Sequence, residues 1–325
     1  MQQQLGFMRI FAMSLCFTLM IRGFGQNHQA PVARSGYSLA YDASRDVVVL
    51  FGGQDSANAR LSDTWEWSAG VWSRIEVGGP SARMNAAMAY DPVRKLVFLF
   101  GGRTESGTED DLWTYDGKSW SNIEALSRPP RRQQGTMVFD KGQSQFLLFG
   151  GLDVNKNSLG DTWVLKDKQW TMLNSNGPSP RSSHAMTYDD DMQAAVLYGG
   201  YINETASREF WELKDGVWHA VTGNNGPVRL HESISYDPDK KRLLLFGGFN
   251  ERERTNELWE YAKDQWSLVA VGKDKIPDPR AEHRSVFIPG QGLFIFGGVI
   301  GPDGNTRIRG NDTWLFDGKS WVRLN

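Results

Sequence analysis

At 325 residues the chain is longer than one ordinary hydrophobic core supports, so it holds either two domains or one repeat array. Its 36 basic and 38 acidic residues are interspersed and leave a formal charge of −2, which excludes the basic field of a nucleic-acid binder and any charged tail. The 13 Trp and 35 Gly, with few apolar periods of helical spacing, favour short strands and tight turns.

Residues 1–25 differ in kind from the rest. Arg9 precedes an apolar stretch from Ile10 to Ile21, and Gly23-Phe24-Gly25 places small residues for cleavage before Gln26. Twelve residues, ten of them apolar, are too few to span a bilayer comfortably but suit the core of a signal peptide. The expectation is export, with 1–25 removed and 26–325 secreted to the extracellular space or a periplasm. Cys16, the single cysteine, lies inside this segment, and Leu15 before it is too bulky for a lipidation box. The mature chain then has no thiol and no disulfide, and packing must stabilise it.

From residue 31 onward the chain repeats. Gly-Gly pairs begin at Gly52, Gly101, Gly150, Gly199, Gly247 and Gly297, at steps of 49, 49, 49, 48 and 50 residues. Such a period, with other residues held in phase, marks a stacked array of one supersecondary unit. The units run over about 31–79, 80–128, 129–177, 178–226, 227–276 and 277–325.

Each unit opens with an arginine: Arg34, Arg83, Arg132, Arg181, Arg229 and Arg280. Seven residues on stands an aromatic, followed in five units by Asp, as in Tyr90-Asp91-Pro92, which is turn chemistry. The sixth unit substitutes Ile288-Pro289-Gly290. The apolar runs Val47–Phe51, Leu96–Phe100, Phe146–Phe149, Ala195–Tyr198, Leu243–Phe246 and Leu293–Phe296 read as strands covered on both faces. The glycines after them permit a sharp turn or a close backbone approach. An acid then precedes a Trp by two places, and a second Trp follows seven residues later: Trp65/Trp72, Trp113/Trp120, Trp163/Trp170, Trp211/Trp218, Trp259/Trp266 and Trp314/Trp321. Hairpin signals such as Asp116-Gly117 lie between the two. Each unit is thus a four-stranded antiparallel meander. Six of them bury both faces by packing radially, with the paired tryptophans forming two stacked circles between blades.

The combination of Arg, Tyr-Asp, Leu-Phe-Gly-Gly, Asp-Thr-Trp and a distant Trp resembles the kelch repeat over about residues 31–325. The resemblance implies an all-β fold, a six-bladed β-propeller. Many kelch rings close by completing one blade from both chain ends. Here every blade is complete in itself, so closure by face packing is expected.

The six opening arginines and the in-phase acids Asp63, Asp111, Asp161, Glu209, Glu257 and Asp312 read as one internal ion pair per blade rather than an anion site. His184, Glu232 and His283 fall three places after the arginine in units four to six, on the strand innermost in kelch propellers. They are candidates for a metal or for acid–base chemistry beside a packing role, and His231 has the opposite strand parity. No resident metal or cofactor is expected.

Kelch ligands commonly sit on the rim made by residues just after the arginine and just after Gly-Gly. Here the first set is Ser35, Met84, Gln133, Ser182, Leu230 and Ala281, and the second is Gln54, Arg103, Leu152, Tyr201, Phe249 and Val299. Only Arg103 is charged, which disfavours the acidic peptides bound by kelch adaptors of ubiquitin ligases. Tyr201 and Phe249 offer rings for stacking on a sugar or an apolar side chain. A longer loop in unit six, Ile300–Gly310, carries Arg307 and Arg309 and could overhang this rim. Asn203-Glu204-Thr205 and Asn311-Asp312-Thr313 match the glycan acceptor pattern.

The leading reading is an exported binding module that recognises a protein or glycan at its rim. No nucleophile elbow, phosphate loop or dense metal-ligand spacing appears. The alternative is a carbohydrate-active enzyme, because relatives of this fold include a periplasmic sialic-acid mutarotase and galactose oxidases. The oxidase chemistry needs a Cys–Tyr crosslink that a mature chain without cysteine cannot make. The iron site of plant kelch proteins that steer glucosinolate breakdown is begun by Glu260 and Asp264, but Leu268 stands where its histidine belongs.

Overall fold

The small and apolar residues that follow each opening arginine form the first strand of a four-stranded antiparallel sheet. In a computed structural model of the chain, residues 30–174, 176–223, 225–272 and 275–325 are described, and the expected export signal lies outside them. The first strands are Ser38–Asp42, Ala87–Asp91, Thr136–Asp140, Ala185–Asp189, Ser233–Asp237 and Arg284–Ile288. They contact one another in sequence around a central axis, and the first also contacts the sixth. Six sheets with these strands innermost make a six-bladed β-propeller.

The predicted apolar runs are the second strands. They begin within one residue of expectation, and in blades one, three and six they continue through Gly-Gly to Asp55, Leu152 and Ile300 with a shift of register. Their residues from Val48 to Leu50, and from Leu243 to Phe246, are fully buried.

The glycine pair is an inter-blade joint. Gly52 has φ of 65°, and a Cβ there would lie 2.6 Å from the Arg83 carbonyl of the next blade. The amide of Gly53 donates to that same carbonyl at 2.9 Å. No side chain fits where two blades approach this closely.

Six apolar clusters fill the six gaps between blades. The one between blades one and two joins Val49 and Phe51 to Val97, Leu99 and Trp120. The gap between blades six and one is filled in the same way, by Leu50 and Trp72 against Phe294 and Phe296. No sheet mixes strands from the two ends of the chain among the described residues, so face packing closes the ring as expected. Hydrogen bonds supplement it: Gly36 donates to the Glu282 carbonyl at 3.2 Å.

The paired tryptophans do not behave alike, which corrects the expectation of two equivalent circles. The second of each pair is buried in the gap, against an aromatic of the preceding blade such as Phe51, Phe100 or Phe149. The first is only half-buried in blades two to five and buried in blades one and six, and in every blade its indole N–H donates to the acid two residues earlier.

Candidate functional site

The arginine of each repeat anchors the loops on one face of the disc. Arg34 donates to both oxygens of Asp63 at 2.6 and 2.8 Å and to the Gly52 carbonyl at 3.0 Å, while Trp65 donates to Asp63 at 2.7 Å. The same geometry recurs with Arg83–Asp111, Arg132–Asp161 and Arg280–Asp312. In blades four and five a glutamate replaces the aspartate, and only one nitrogen of Arg181 or Arg229 reaches Glu209 or Glu257. Burial alone would raise the Asp312 pKa, but bonds from Arg280 and Trp314 hold it below the usual carboxylate range. The ion pairs expected from the sequence are therefore present in all six blades.

The two sets of rim residues are cross-strand partners: Ser35 with Gln54, Met84 with Arg103, Gln133 with Leu152, Ser182 with Tyr201, Leu230 with Phe249 and Ala281 with Val299. Their exposure differs from pair to pair. Ser35, Gln133, Ser182, Leu230, Ala281 and Val299 are buried. Gln54, Arg103, Leu152 and Phe249 are half-buried, and Tyr201 is 39% exposed. Tyr201 opens a short hairpin, Tyr201–Ile202 with Thr205–Ala206, turned by Asn203 and Glu204 at positive φ. Asn203 is exposed at its tip, whereas Thr313 of the second acceptor pattern is fully buried beneath Trp72.

Phe249 does not share a platform with Tyr201. The long loop of blade six folds over blade five, and a Cβ on Gly304 would lie 2.9 Å from the Phe249 ring. Arg254 of blade five holds that loop by donating to the carbonyls of Gly301, Asp303, Gly304 and Thr306. On its other side Arg309 donates to Ser35 Oγ, Gln54 Oε1 and Asn58 Oδ1 in blade one. The extension therefore straps blades five, six and one together.

Around the axis on this face runs a belt that sequence reasoning missed. Gly36, Asn85, Gln134, Ser183, His231 and Glu282, two places after each arginine, all have φ between 55° and 63°. Asn85 donates its amide to Gly36, Gln134 to Asn85, His231 to Ser183, Glu282 to His231, and Gly36 to Glu282. At the remaining junction Ser183 donates its hydroxyl to Gln134 Oε1 at 3.0 Å. Only the first unit uses glycine there, so the sequence carried no signal for the left-handed turn. Burial draws the His231 pKa down. Glu282 is held below the usual carboxylate range despite burial, by His231, Ser35, Arg307 and Arg309.

Beside the belt, Gln134, Ser183 and His231 join Leu152, Lys156 and Tyr201 in lining a cavity of about 620 Å³ across blades three to five. A volume of that order takes a small ligand or two to three side chains of a partner.

His184, Glu232 and His283 do not converge as a trio: His184 and Glu232 line one axial cavity, and His283 lies apart from it. His184 lies edge-on to Phe149 and His283 edge-on to Phe246, each in the gap to its preceding blade. His283 Nε2 is 2.9 Å from Ser233 Oγ. Glu232 reaches beneath Gly199, where a Cβ would meet its Oε1 at 2.5 Å. Among the described residues no three His, Cys, Asp or Glu side chains could hold a metal. His231 stands apart from this trio, in the belt.

Six complete four-stranded blades with one buried arginine–acid pair per blade define a kelch-type propeller, typically a protein-interaction module. A family profile described as the KLHDC2/KLHL20/DRC7 Kelch-repeats domain matches residues 16–200, more than half of the chain. An F-box/kelch-repeat protein of Arabidopsis thaliana is 27% identical over 193 residues, covering 52% of this chain and 39% of that protein. The chain belongs to the kelch-repeat family. It matches less than half the length of that relative. Among the described residues no helix is long and apolar enough to cross a membrane.

Proposed function

We propose that this propeller is an exported interaction module and that it takes a segment of a protein partner into the cavity between Gln134, Lys156, Tyr201 and His231. The observation that carries this reading is Tyr201, the one rim residue left exposed, at the edge of a cavity with polar walls. An exposed phenol beside amide, ammonium and imidazole groups suits a peptide that offers one apolar side chain to the ring and its backbone to the walls. Three other rim positions, Ser35, Gln54 and Phe249, are bonded to the blade-six strap or lie under it, which favours recognition by blades three to five. Support for export is the signal-like segment Arg9–Gly25 and a mature chain without cysteine.

The test is site-directed photo-crosslinking on the secreted protein. A photoreactive phenylalanine analogue at position 201 should capture a defined partner, while the same probe at exposed Val93, on the opposite end of the inner strands, should not. Tyr201→Ala should then weaken binding of that purified partner at least tenfold. Equal capture from both positions would defeat the assignment. Binding only to an oligosaccharide on a glycan array would move the function to sugar recognition.

A further inference from the structure

The axis of the propeller contains a second polar cluster that the binding face does not use. At its centre is a cavity of about 100 Å³ lined by His184, Glu232, Arg284, Ser38, Thr136 and Ser233. Glu232 is 2% exposed and His184 5%, and no side chain hydrogen-bonds to either. Only backbone groups stand near them, the amides of Glu232 itself and Ala185 at the carboxyl and Phe149 at the imidazole. Leaving such groups buried and unpaired costs stability, so their retention at one point on the axis points to something that satisfies them.

Arg284 supplies the charge. It occupies the first position of the sixth inner strand, where the other blades carry Ser38, Ala87, Thr136, Ala185 and Ser233. Among the described residues its side chain donates only to the His283 carbonyl, at 3.3 Å, and it makes no ion pair. Most of a forked, planar cation thus remains free to face the cavity. A metal ion would be repelled by it.

Next along the axis comes an apolar ring. Leu39, Met88, Met137, Met186 and Ile234, with Ser285 completing the ring in blade six, line both the polar cavity and an adjoining one of about 360 Å³. That second cavity ends among exposed Ala43, Pro92, Lys141, Pro238 and Pro289, so the channel opens to solvent on the side away from the belt. A path from water through thioethers to a lone guanidinium suits a molecule with a hydrocarbon end and one anionic end.

We propose that the axial channel binds a short-chain monocarboxylate, its carboxylate on Arg284 and Glu232 and its hydrocarbon tail in the ring of Leu39, Met88, Met137, Met186 and Ile234. Glu232 can share a site with an anion because it is uncharged at neutral pH. Burial pushes its pKa up to about 8, against the pull of its own amide, Arg229, Arg284 and the Ala185 amide. Arg181 and Tyr198 of blade four also face it. The neutral carboxyl then donates a hydrogen bond to the ligand, while Arg284 balances its charge.

Calorimetric titration of the purified protein with formate, acetate, butyrate and hexanoate at pH 6.5, with sodium chloride as the inorganic arm, tests this site. Affinity should rise at least tenfold from acetate to butyrate, and Arg284→Gln should remove binding without loss of the folded near-ultraviolet signal. If Arg284→Gln does not fold, Met88→Trp serves instead, since narrowing the ring where the tail lies should weaken butyrate binding at least tenfold more than formate binding. Raising the pH to 9 should weaken binding in the parent protein but not in Glu232→Gln, whose amide still donates. No heat with any carboxylate, equal affinity for chloride and butyrate, or unchanged binding by Arg284→Gln and by Met88→Trp would each overturn the proposal.

Discussion

Trp72 of the first blade lies edge-on to Phe296 of the sixth, with ring centroids 5.2 Å apart, and this contact closes the ring. Its indole nitrogen donates to Thr313 Oγ1 at 3.0 Å. The same junction appears where Trp120 meets Phe51 and Thr64, and where Trp218 meets Phe149 and Thr162. Trp170, Trp266 and Trp321 have the aromatic partner but no acceptor, because Leu112, Phe210 and Leu258 replace the threonine. The closing seam is therefore built as one of the three hydrogen-bonded junctions.

Replacing Thr313 with Val should orphan the buried Trp72 N–H and cost about 1–3 kcal/mol. Urea denaturation measures this directly. In a Trp72→Phe background the same substitution should cost much less, since no donor is left to strand. Equal costs in both backgrounds would show that the hydrogen bond contributes nothing at the seam.

The buried arginine–acid pairs should differ in sensitivity according to exposure of the acid. Arg280 and Arg181 are both fully buried, but the Asp312 side chain is 10% exposed and that of Glu209 45%. Arg280→Met strands a carboxylate that water hardly reaches and should destabilise by about 3–5 kcal/mol. Arg181→Met should cost less, because Glu209 can turn to solvent. Thermal unfolding of the two variants, side by side, gives the order.

Removing residues 321–325 tests how far the last strand matters. Trp321 lies 4.8 Å from Phe246 of blade five and 5.4 Å from Phe316 of its own blade, and both would be uncovered. The truncated protein should lose at least about 3 kcal/mol, the usual cost of deleting a buried aromatic. It should also bind a hydrophobic dye at its exposed edge. A full-length melting temperature after truncation would mean that five blades hold the sixth without its outer strand.

Much of this architecture was legible because it repeats. Gly-Gly, the arginine–acid pairs and the second tryptophans each recur in phase, and each does a job that one residue type does best: close approach, bidentate pairing, wide apolar cover. What could not be read lies where the repeat tolerates variety. Asn85, Gln134, Ser183, His231 and Glu282 share a left-handed backbone without sharing a side chain, so the belt left no pattern. The two rim sets pair across strands in every blade, and neither that pairing nor the burial of Ser35, Ser182 and Val299 was legible, because both depend on chain geometry beyond Gly-Gly. Phe249 is covered by the strap that Arg254 holds, a contact between residues some fifty positions apart.

Stability should depend on pH from both sides of neutrality through the axial groups. Burial, with repulsion from Arg181 and Arg284, lowers the His184 pKa to about 3. Because the unfolded chain protonates near 6.5, its contribution is intact above that pH and is lost progressively as the pH falls toward 3. Glu232 acts in the opposite sense. The folded chain keeps its proton up to about 8 while the unfolded chain releases it near 4.5, so stability falls as pH rises across that interval and the penalty is complete above 8. At about 1.4 kcal/mol per pKa unit the penalty is on the order of a few kcal/mol. Glu232→Gln should therefore raise the melting temperature at pH 9 and leave the acid limb, to which His184 contributes beside His231, His283 and the arginine-paired aspartates, where it was. A melting curve that Glu232→Gln shifts equally at pH 5 and pH 9 would show that the carboxyl is not held neutral on the axis.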